Sequence, residues 1–394
     1  MPRAETPGPD QKTLLRIRRA LLAWYGREKR DLPWRRTRDK YRVWVSEVML
    51  HQTRVETVIP YYERFLKRFP DVGTLARARL ESVLKLWEGL GYYGRARNLH
   101  RAAKVVVREH GGRLPADPGR LSRLPGIGAY SVGAILSITE DLPLPAVDGN
   151  IRRVLSRLFG VDADPAEAGT RRLVEALAKR LVSAGRPPRP GDVNQALMDL
   201  GAGICVPRNP KCPRCPLRPR CAARIGGAEK EISGALPKPA PRAVAFSCAL
   251  ARRRDGKVLL ARNPAEGLFG GLWELPGGAC PPGESPADAL PRLLLERAGL
   301  RVRAGEALGE FTATLTHRRI TYHVFKVAGV RAEGAPAAYA EIRWVRPDAL
   351  ARLPFSKAQR GILEKLLPSP SPSRPDGLAR EPEGGAGPAS RGGL

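Results

Sequence analysis

Four cysteines, Cys205, Cys212, Cys215 and Cys221, form a C-x6-C-x2-C-x5-C array in a chain whose only other cysteines are Cys248 and Cys280. Cysteines this close in sequence bring their sulfurs to one centre at little loop-closure cost, and whatever they hold constrains the fold around it. Three readings compete. Zinc sites usually pair two short C-x2–4-C steps, and here only Cys212 and Cys215 make one. A disulfide pair needs an oxidising compartment, which nothing else in the chain suggests. Four thiolates are also the ligand set of an iron–sulfur cluster. Spacing alone leaves zinc and cluster level, with disulfides behind.

At 394 residues the chain is too long for one ordinary domain, so two domains and linkers are expected. Its formal net charge is +29, its isoelectric point about 10.7, and arginine far outnumbers lysine. That excess is a footprint for a polyanion, nucleic acid above all, although an arginine-rich composition also arises from compositional bias. No apolar stretch approaches the roughly 20 residues of a spanning helix, and residues 1–10 lack the apolar core of a signal peptide. The expectation is a soluble monomer in the cytoplasm, associated with the bacterial nucleoid and not with a membrane.

The texture changes twice along the chain. Over residues 11–221 apolar residues recur at helical spacing, as in Val43, Val45, Val48 and Met49, then Leu80, Val83, Leu84 and Trp87. Residues 222–242 lose the pattern, and Leu236-Pro237-Lys238-Pro239-Ala240-Pro241 reads as a semi-rigid linker. Strand-like segments follow at 244–251, 258–261, 320–327 and 342–345, with a helix at 287–298, so residues 243–367 read as α+β. The tail, 368–394, is Pro, Ser, Gly and Arg, with nothing to bury, and is expected to be disordered.

In the helical part, Leu124-Pro125-Gly126-Ile127-Gly128-Ala129-Tyr130 is the next signal. Gly126 and Gly128 allow a tight turn that presents backbone N–H groups at the next helix's N-terminus, where a phosphate can sit. By itself such a turn is more often a plain helix connection. About twenty residues on, Val147-Asp148-Gly149-Asn150 precedes a helix at 151–159, and in isolation Asp148 reads as a helix cap.

Together these residues resemble the helix–hairpin–helix DNA glycosylases, whose iron–sulfur motif the cysteine array matches. More narrowly, Trp44-Val45-Ser46-Glu47-Val48-Met49-Leu50-His51-Gln52-Thr53, Gly89-Leu90-Gly91-Tyr92-Tyr93-Gly94-Arg95 and Asn194-Gln195-Ala196-Leu197-Met198-Asp199-Leu200-Gly201 are similar to the adenine DNA glycosylase branch, over roughly residues 32–221. The resemblance implies a [4Fe-4S] cluster on Cys205, Cys212, Cys215 and Cys221. It implies a partner, double-stranded DNA containing A·8-oxoguanine or A·G mispairs, and hydrolysis of the adenine N-glycosidic bond.

Cleaving that bond needs a proton on the departing base and negative charge near the sugar, the two-carboxylate logic of glycosidic cleavage. Glu47 lies in an apolar run, where desolvation favours the neutral acid, although read alone it is also an ordinary helix-face residue. Asp148, at a helix N-terminus, is expected to stay ionised and face the sugar. The resemblance assigns the same roles and expects Asn150 to orient Asp148 or the attacking water. Base release from a duplex requires flipping. By resemblance Gln52 and Tyr92 wedge into the stack, Gln195 reads a purine edge, and Trp34, Arg35 and Leu50 enclose the base. Tyr130 stands where strand-cutting relatives carry a Schiff-base lysine. With no amine there, the expected outcome is an abasic site and an intact strand.

In the α+β part, Gly278, Glu284, Arg292, Glu296, Gly299 and Leu300 fall on the spacing of a Nudix box. That box needs several helical glutamates to hold Mg²⁺ on a diphosphate, and Leu293 and Arg297 stand at two of those positions. A Nudix-like domain without hydrolase chemistry is expected. The resemblance gives it 8-oxoguanine recognition, with Thr316 hydrogen-bonding the lesion and His317 a phosphate.

Overall fold

The computed structural model describes residues 8–186, 189–232, 240–315 and 318–367. Thr316, His317, most of the Pro-rich linker and the 368–394 tail lie outside the described residues.

Residues 11–225 are helical and pack around two apolar cores. One gathers Trp44, Phe65, Trp87 and Leu99 with Val132 and Leu136; the other joins the first helix, through Leu14, Ile17 and Leu21, to Ile151, Leu181 and Leu197. Helix Lys40–Leu50 starts at Asp39, whose side chain accepts from the Arg42 N–H at 2.8 Å. It then buries Tyr41, Val43, Trp44, Val45, Val48 and Met49, so it is apolar on nearly every side. Each such side chain contributes about 1.5–3 kcal/mol of burial, and Glu47 is carried into the interior with them.

The glycine turn joins the short helix Pro118–Ser122 to helix Ala129–Thr139. Gly126 sits at φ +78°, where a Cβ would meet the Asn98 side chain at 2.7 Å, and Gly128 caps the following helix. The segment between that helix and Asp148 is clamped on two sides. A Cβ on Gly133 would lie 2.0 Å from the Pro145 carbonyl oxygen. From helix Pro190–Gly203, the Asn194 amide donates to the Leu144 carbonyl and the Ser137 hydroxyl, both at 2.8 Å, and accepts from the Ala146 N–H. Asp148 then caps helix Gly149–Phe159 by accepting from Ile151 at 2.7 Å, and Gly160, left-handed at φ +68°, ends it.

The 222–242 stretch is not structureless throughout. Ala222–Ile225 is a short helix, and Ala223 and Ile232 are buried against the helical domain. A pattern only a few residues long carries no readable period, which is why the sequence shows none there.

Among the described residues the second domain has seven strands: β1 Arg242–Ala251, β2 Val258–Arg262, β3 Trp273–Glu274, β4 Gly277–Ala279, β5 Leu300–Leu315, β6 Arg318–Ala332 and β7 Glu341–Val345. They form one sheet of order β4-β1-β6-β5 and another of order β3-β2-β7. β1 runs parallel to β6, pairing Arg242 with Arg318 and Ala251 with Val327. Along β1, Cys248 and Leu250 enter one core and Ala249 and Ala251 another, so both faces are covered. Helix Pro286–Ala298 closes one face with Leu290 and Leu294, and helix Lys357–Leu366 the other with Ile362 and Leu363. The two domains touch: Leu272 is buried in the first helical core, and the Trp273 indole N–H donates to Glu81 at 2.8 Å.

Candidate active site

A cavity of about 860 Å³ opens where the two helical cores meet. Its wall brings together nine of the residues singled out from sequence: Trp34, Arg35, Glu47, Leu50, Gln52, Tyr130, Asp148, Asn150 and Gln195. Glu47, Leu50, Trp34 and Tyr130 come from elements of the first core; Asp148, Asn150 and Gln195 come from elements of the second. Tyr92 is outside that wall. Gly126 lines a small neighbouring void with Trp44, His51 and Arg95.

Glu47 is buried, and burial pushes its carboxyl up to about 7. The Tyr130 hydroxyl, donating at 3.1 Å, and the Arg35 guanidinium pull it back, while the Asp148 charge adds to the rise. Such a group exchanges protons near neutral pH, as a general acid requires. Tyr130, itself held far above its ordinary value by burial, offers a hydroxyl and no amine to the cavity. Asp148 is half-buried, and its second oxygen accepts from the Asn150 amide at 3.1 Å. Arg153 in turn donates to the side-chain Oδ1 of Asn150 at 3.0 Å.

Arg35 does not reach freely into the cavity. Asp199 holds its guanidinium at 2.7 and 3.1 Å and also takes Arg30 at 2.6 Å. Asp199 was missed as a site residue, although a lone carboxylate inside Ala196-Leu197-Met198-Asp199-Leu200 signals a buried cation partner. His51 was missed too. It stands edge-on to Tyr130 with ring centroids 5.6 Å apart, and burial first, then Arg95, lowers its pKa.

Gln52 and Tyr92 share a backbone peculiarity. Both lie at positive φ, +60° and +48°, a conformation side chains other than Gly, Asn and Asp rarely adopt. Strain of this kind persists where the surroundings over-determine it, and it gathers at functional loops. Arg95 supplies the determination. Its guanidinium donates to the carbonyls of Val48 (3.0 Å), Met49 (2.8 Å), His51, Leu90 (3.4 Å) and Gly91 (3.2 Å) and to the Thr53 hydroxyl (3.0 Å), and it lies 5.5 Å from the Tyr92 ring. One side chain thus ties the Gln52 loop to the Tyr92 loop. Its motif gives no hint of this role, because most of its acceptors lie on a segment more than forty residues away.

The four cysteines lie behind helix Gly149–Phe159, half-buried rather than fully buried, with Arg208, Arg214, Arg218 and Arg220 exposed among them. Burial raises the Cys215 thiol to about 11. Arg157, fully buried, donates to the carbonyls of Val206, Pro207 and Ile232 and points to the Cys205 sulfur at 3.6 Å; none of these partners is a carboxylate. A buried guanidinium without a carboxylate fits a neighbouring anionic thiolate-bound group. Among the described residues no three His, Cys, Asp or Glu side chains are gathered as one ion requires.

In the second domain the Nudix-box positions are otherwise engaged. Leu293 is buried, and Arg297 donates to the Gly277 carbonyl at 2.8 Å and lies 5.5 Å from the Tyr339 ring. Arg292 pairs with both Glu284 and Glu296.

A helical cleft lined by a buried acid and a helix-capping aspartate, with a glycine hairpin beside it and a Nudix-like domain joined to it, defines a base-excision DNA glycosylase of the helix–hairpin–helix class. Residues 45–180 match the HhH-GPD superfamily base excision DNA repair protein family and residues 247–365 the NUDIX domain family. The adenine DNA glycosylase of Rattus norvegicus is 36% identical over 88% of this chain and 77% of its own length; that of Homo sapiens is 37% identical over 81% and 68%. A thermostable thymine-DNA glycosylase structure aligns with 55% of this chain and 98% of its own, at TM-score 0.50 and 30% identity. The chain belongs to the adenine DNA glycosylase family and is a base-excision repair enzyme.

Proposed function

We propose that this glycosylase removes adenine paired with 8-oxoguanine, and less well adenine paired with guanine, leaving an abasic site in an uncut strand. The observation that carries the chemistry is the cavity shared by Glu47, held near neutrality, and Asp148, fixed by Ile151 and Asn150. As the bond from C1′ to the base breaks, its electron pair leaves with the adenine, and Glu47 delivers a proton to N7. Asp148 faces the cationic sugar that remains, and a water oriented with Asn150 adds at C1′, its proton passing to the carboxylate of Glu47. With Tyr130 offering no amine, no Schiff base forms on that sugar, so the backbone stays intact.

Gln52 and Tyr92 fill the stack left by the flipped adenine, and Trp34, Leu50 and Gln195 enclose it. Arg35 acts from the pocket wall through its charge, held by Asp199. Cys205, Cys212, Cys215 and Cys221 hold a [4Fe-4S] cluster, which stiffens the basic knuckle carrying Arg208, Arg214, Arg218 and Arg220 toward phosphates. The second domain reads the 8-oxoguanine through Thr316 and His317 without hydrolysing nucleotides.

Single-turnover excision on duplexes with A opposite 8-oxoguanine, G or T, each with and without alkali, tests this reading. Adenine release ranked in that order, with strand breaks only after alkali, is expected. Breaks without alkali, or equal release from the first two duplexes, would overturn the mechanism or the lesion preference respectively.

A further inference from the structure

The turn Glu88-Gly89-Leu90-Gly91-Tyr92-Tyr93 carries two adjacent tyrosines with opposite fates. Tyr92 is 44% exposed, whereas Tyr93 is 5% exposed. The Tyr93 hydroxyl donates to the Phe355 carbonyl of the second domain at 3.0 Å and accepts from the Gly89 N–H at 3.4 Å. Glu88, which opens the turn, is gripped by Arg360 of the second domain at 2.6 and 3.2 Å and by Lys85 at 2.6 Å. Just past the turn, Arg97 donates to the carbonyls of Gly270, at 3.0 Å, and Gly267. The Glu88–Arg360 pair is mostly shielded, with side chains 13% and 19% exposed, so it is screened less than a surface pair.

Arg360 and Lys365 stand on the same helix, Lys357–Leu366. The Lys365 ammonium lies 5.6 Å from the ring of Phe311 on β5, the strand that runs on to Leu315 at the edge of the expected lesion loop. Helix Lys357–Leu366 therefore touches the lesion-reading strand with one residue and the wedge-bearing turn with another.

We propose that Glu88, Arg360 and Tyr93 are positioning residues through which the second domain sets the Tyr92 wedge, so that recognition of the lesion in one domain is coupled to opening of the stack by the other. The inference rests on the reading that the second domain recognises 8-oxoguanine. A shift of β5 on binding the lesion moves the helix, and the ion pair and hydroxyl bond carry that movement to the turn. Coupling of this kind is a free energy shared between two sites and is measurable as one.

The test uses the full-length, cluster-loaded protein and the variants Tyr93→Phe, Arg360→Met, Arg360→Lys and the Tyr93→Phe/Arg360→Met double. Single-turnover rates on A·8-oxoguanine and A·G duplexes are compared, together with the fluorescence of a 2-aminopurine beside the lesion as a report of unstacking. Tyr93→Phe and Arg360→Met are expected to lower the ratio of the two rates by about fivefold or more. They should weaken the unstacking signal only on the lesion duplex, leave the A·G rate unchanged, combine non-additively in the double variant, and recover in part with Arg360→Lys. A ratio unchanged in both, or an equal fall on both duplexes, overturns the coupling. Tyr93→Phe removes a single hydroxyl and keeps the test open should Arg360→Met fail to fold. A wild-type protein without lesion preference would sink the underlying reading; a wild type with preference and insensitive variants would sink the coupling alone.

Discussion

The hydroxyl of Tyr130 donates to Oε2 of Glu47 at 3.1 Å, tying the first turn of the hairpin helix to the buried acid. The glycine hairpin and the proposed general acid are thus one hydrogen bond apart. Burial favours the neutral carboxyl and this bond the ionised one, and burial prevails.

In the proposed mechanism the working form of Glu47 is protonated. Single-turnover excision should therefore fall as pH rises through about 7, by about tenfold per pH unit well above it. A rate that stays level from mildly acidic to mildly alkaline solution would place the acid elsewhere.

Tyr130→Phe removes the donor that favours ionised Glu47. The falling limb of the same profile should move to higher pH, with excision retained at neutral pH. A limb that does not move means the bond has no hold on the proton.

Glu47 binds a proton in the folded chain at pH values where the unfolded chain has lost it. Its contribution is intact below the ordinary value of 4.5 and is lost as pH rises through about 7. The gap between those values corresponds to about 3 kcal/mol at alkaline pH. Glu47→Gln should abolish excision, keep duplex binding, and stabilise the protein by up to that amount at alkaline pH but not in acid. Denaturant melts at both pH values check it; a stability difference independent of pH would refute the burial argument.

Arg95→Met should strand the acceptors of six hydrogen bonds at the junction of two strained loops. A loss of about 3 kcal/mol or more in stability is expected, with weaker duplex binding. Thermal melts and a binding titration measure both, and intact binding would show that Gln52 and Tyr92 hold their conformations without the clamp.

Much of the second domain was hidden for a local reason. β5 runs from Leu300 to Leu315, yet register shifts between Arg301 and Arg303, Ala304 and Ala307, and Ala307 and Gly309 break its alternation. β3 and β4, at two and three residues, are too short to show a period. Helix Lys357–Leu366 was overlooked although Ser356 caps it and Ala358, Ile362, Leu363 and Leu366 share a face.

Features that neighbours along the chain decide are legible before folding. Glu47 stands in an apolar run whose helix enters the core, Gly126 can take the positive φ that a tight turn needs, and Asp148 caps the helix that begins one residue later. Of the four cysteines close in the chain, Cys205, Cys215 and Cys221 pack against one core. Only the tertiary structure decided which long side chains act on these groups. Arg95 reaches carbonyls more than forty residues away, Asp199 takes Arg35 across 164 positions, and Arg360 meets Glu88 across 272. Such pairings leave no periodic trace, because arginine and glutamate look alike on any solvated surface until packing removes the water between them.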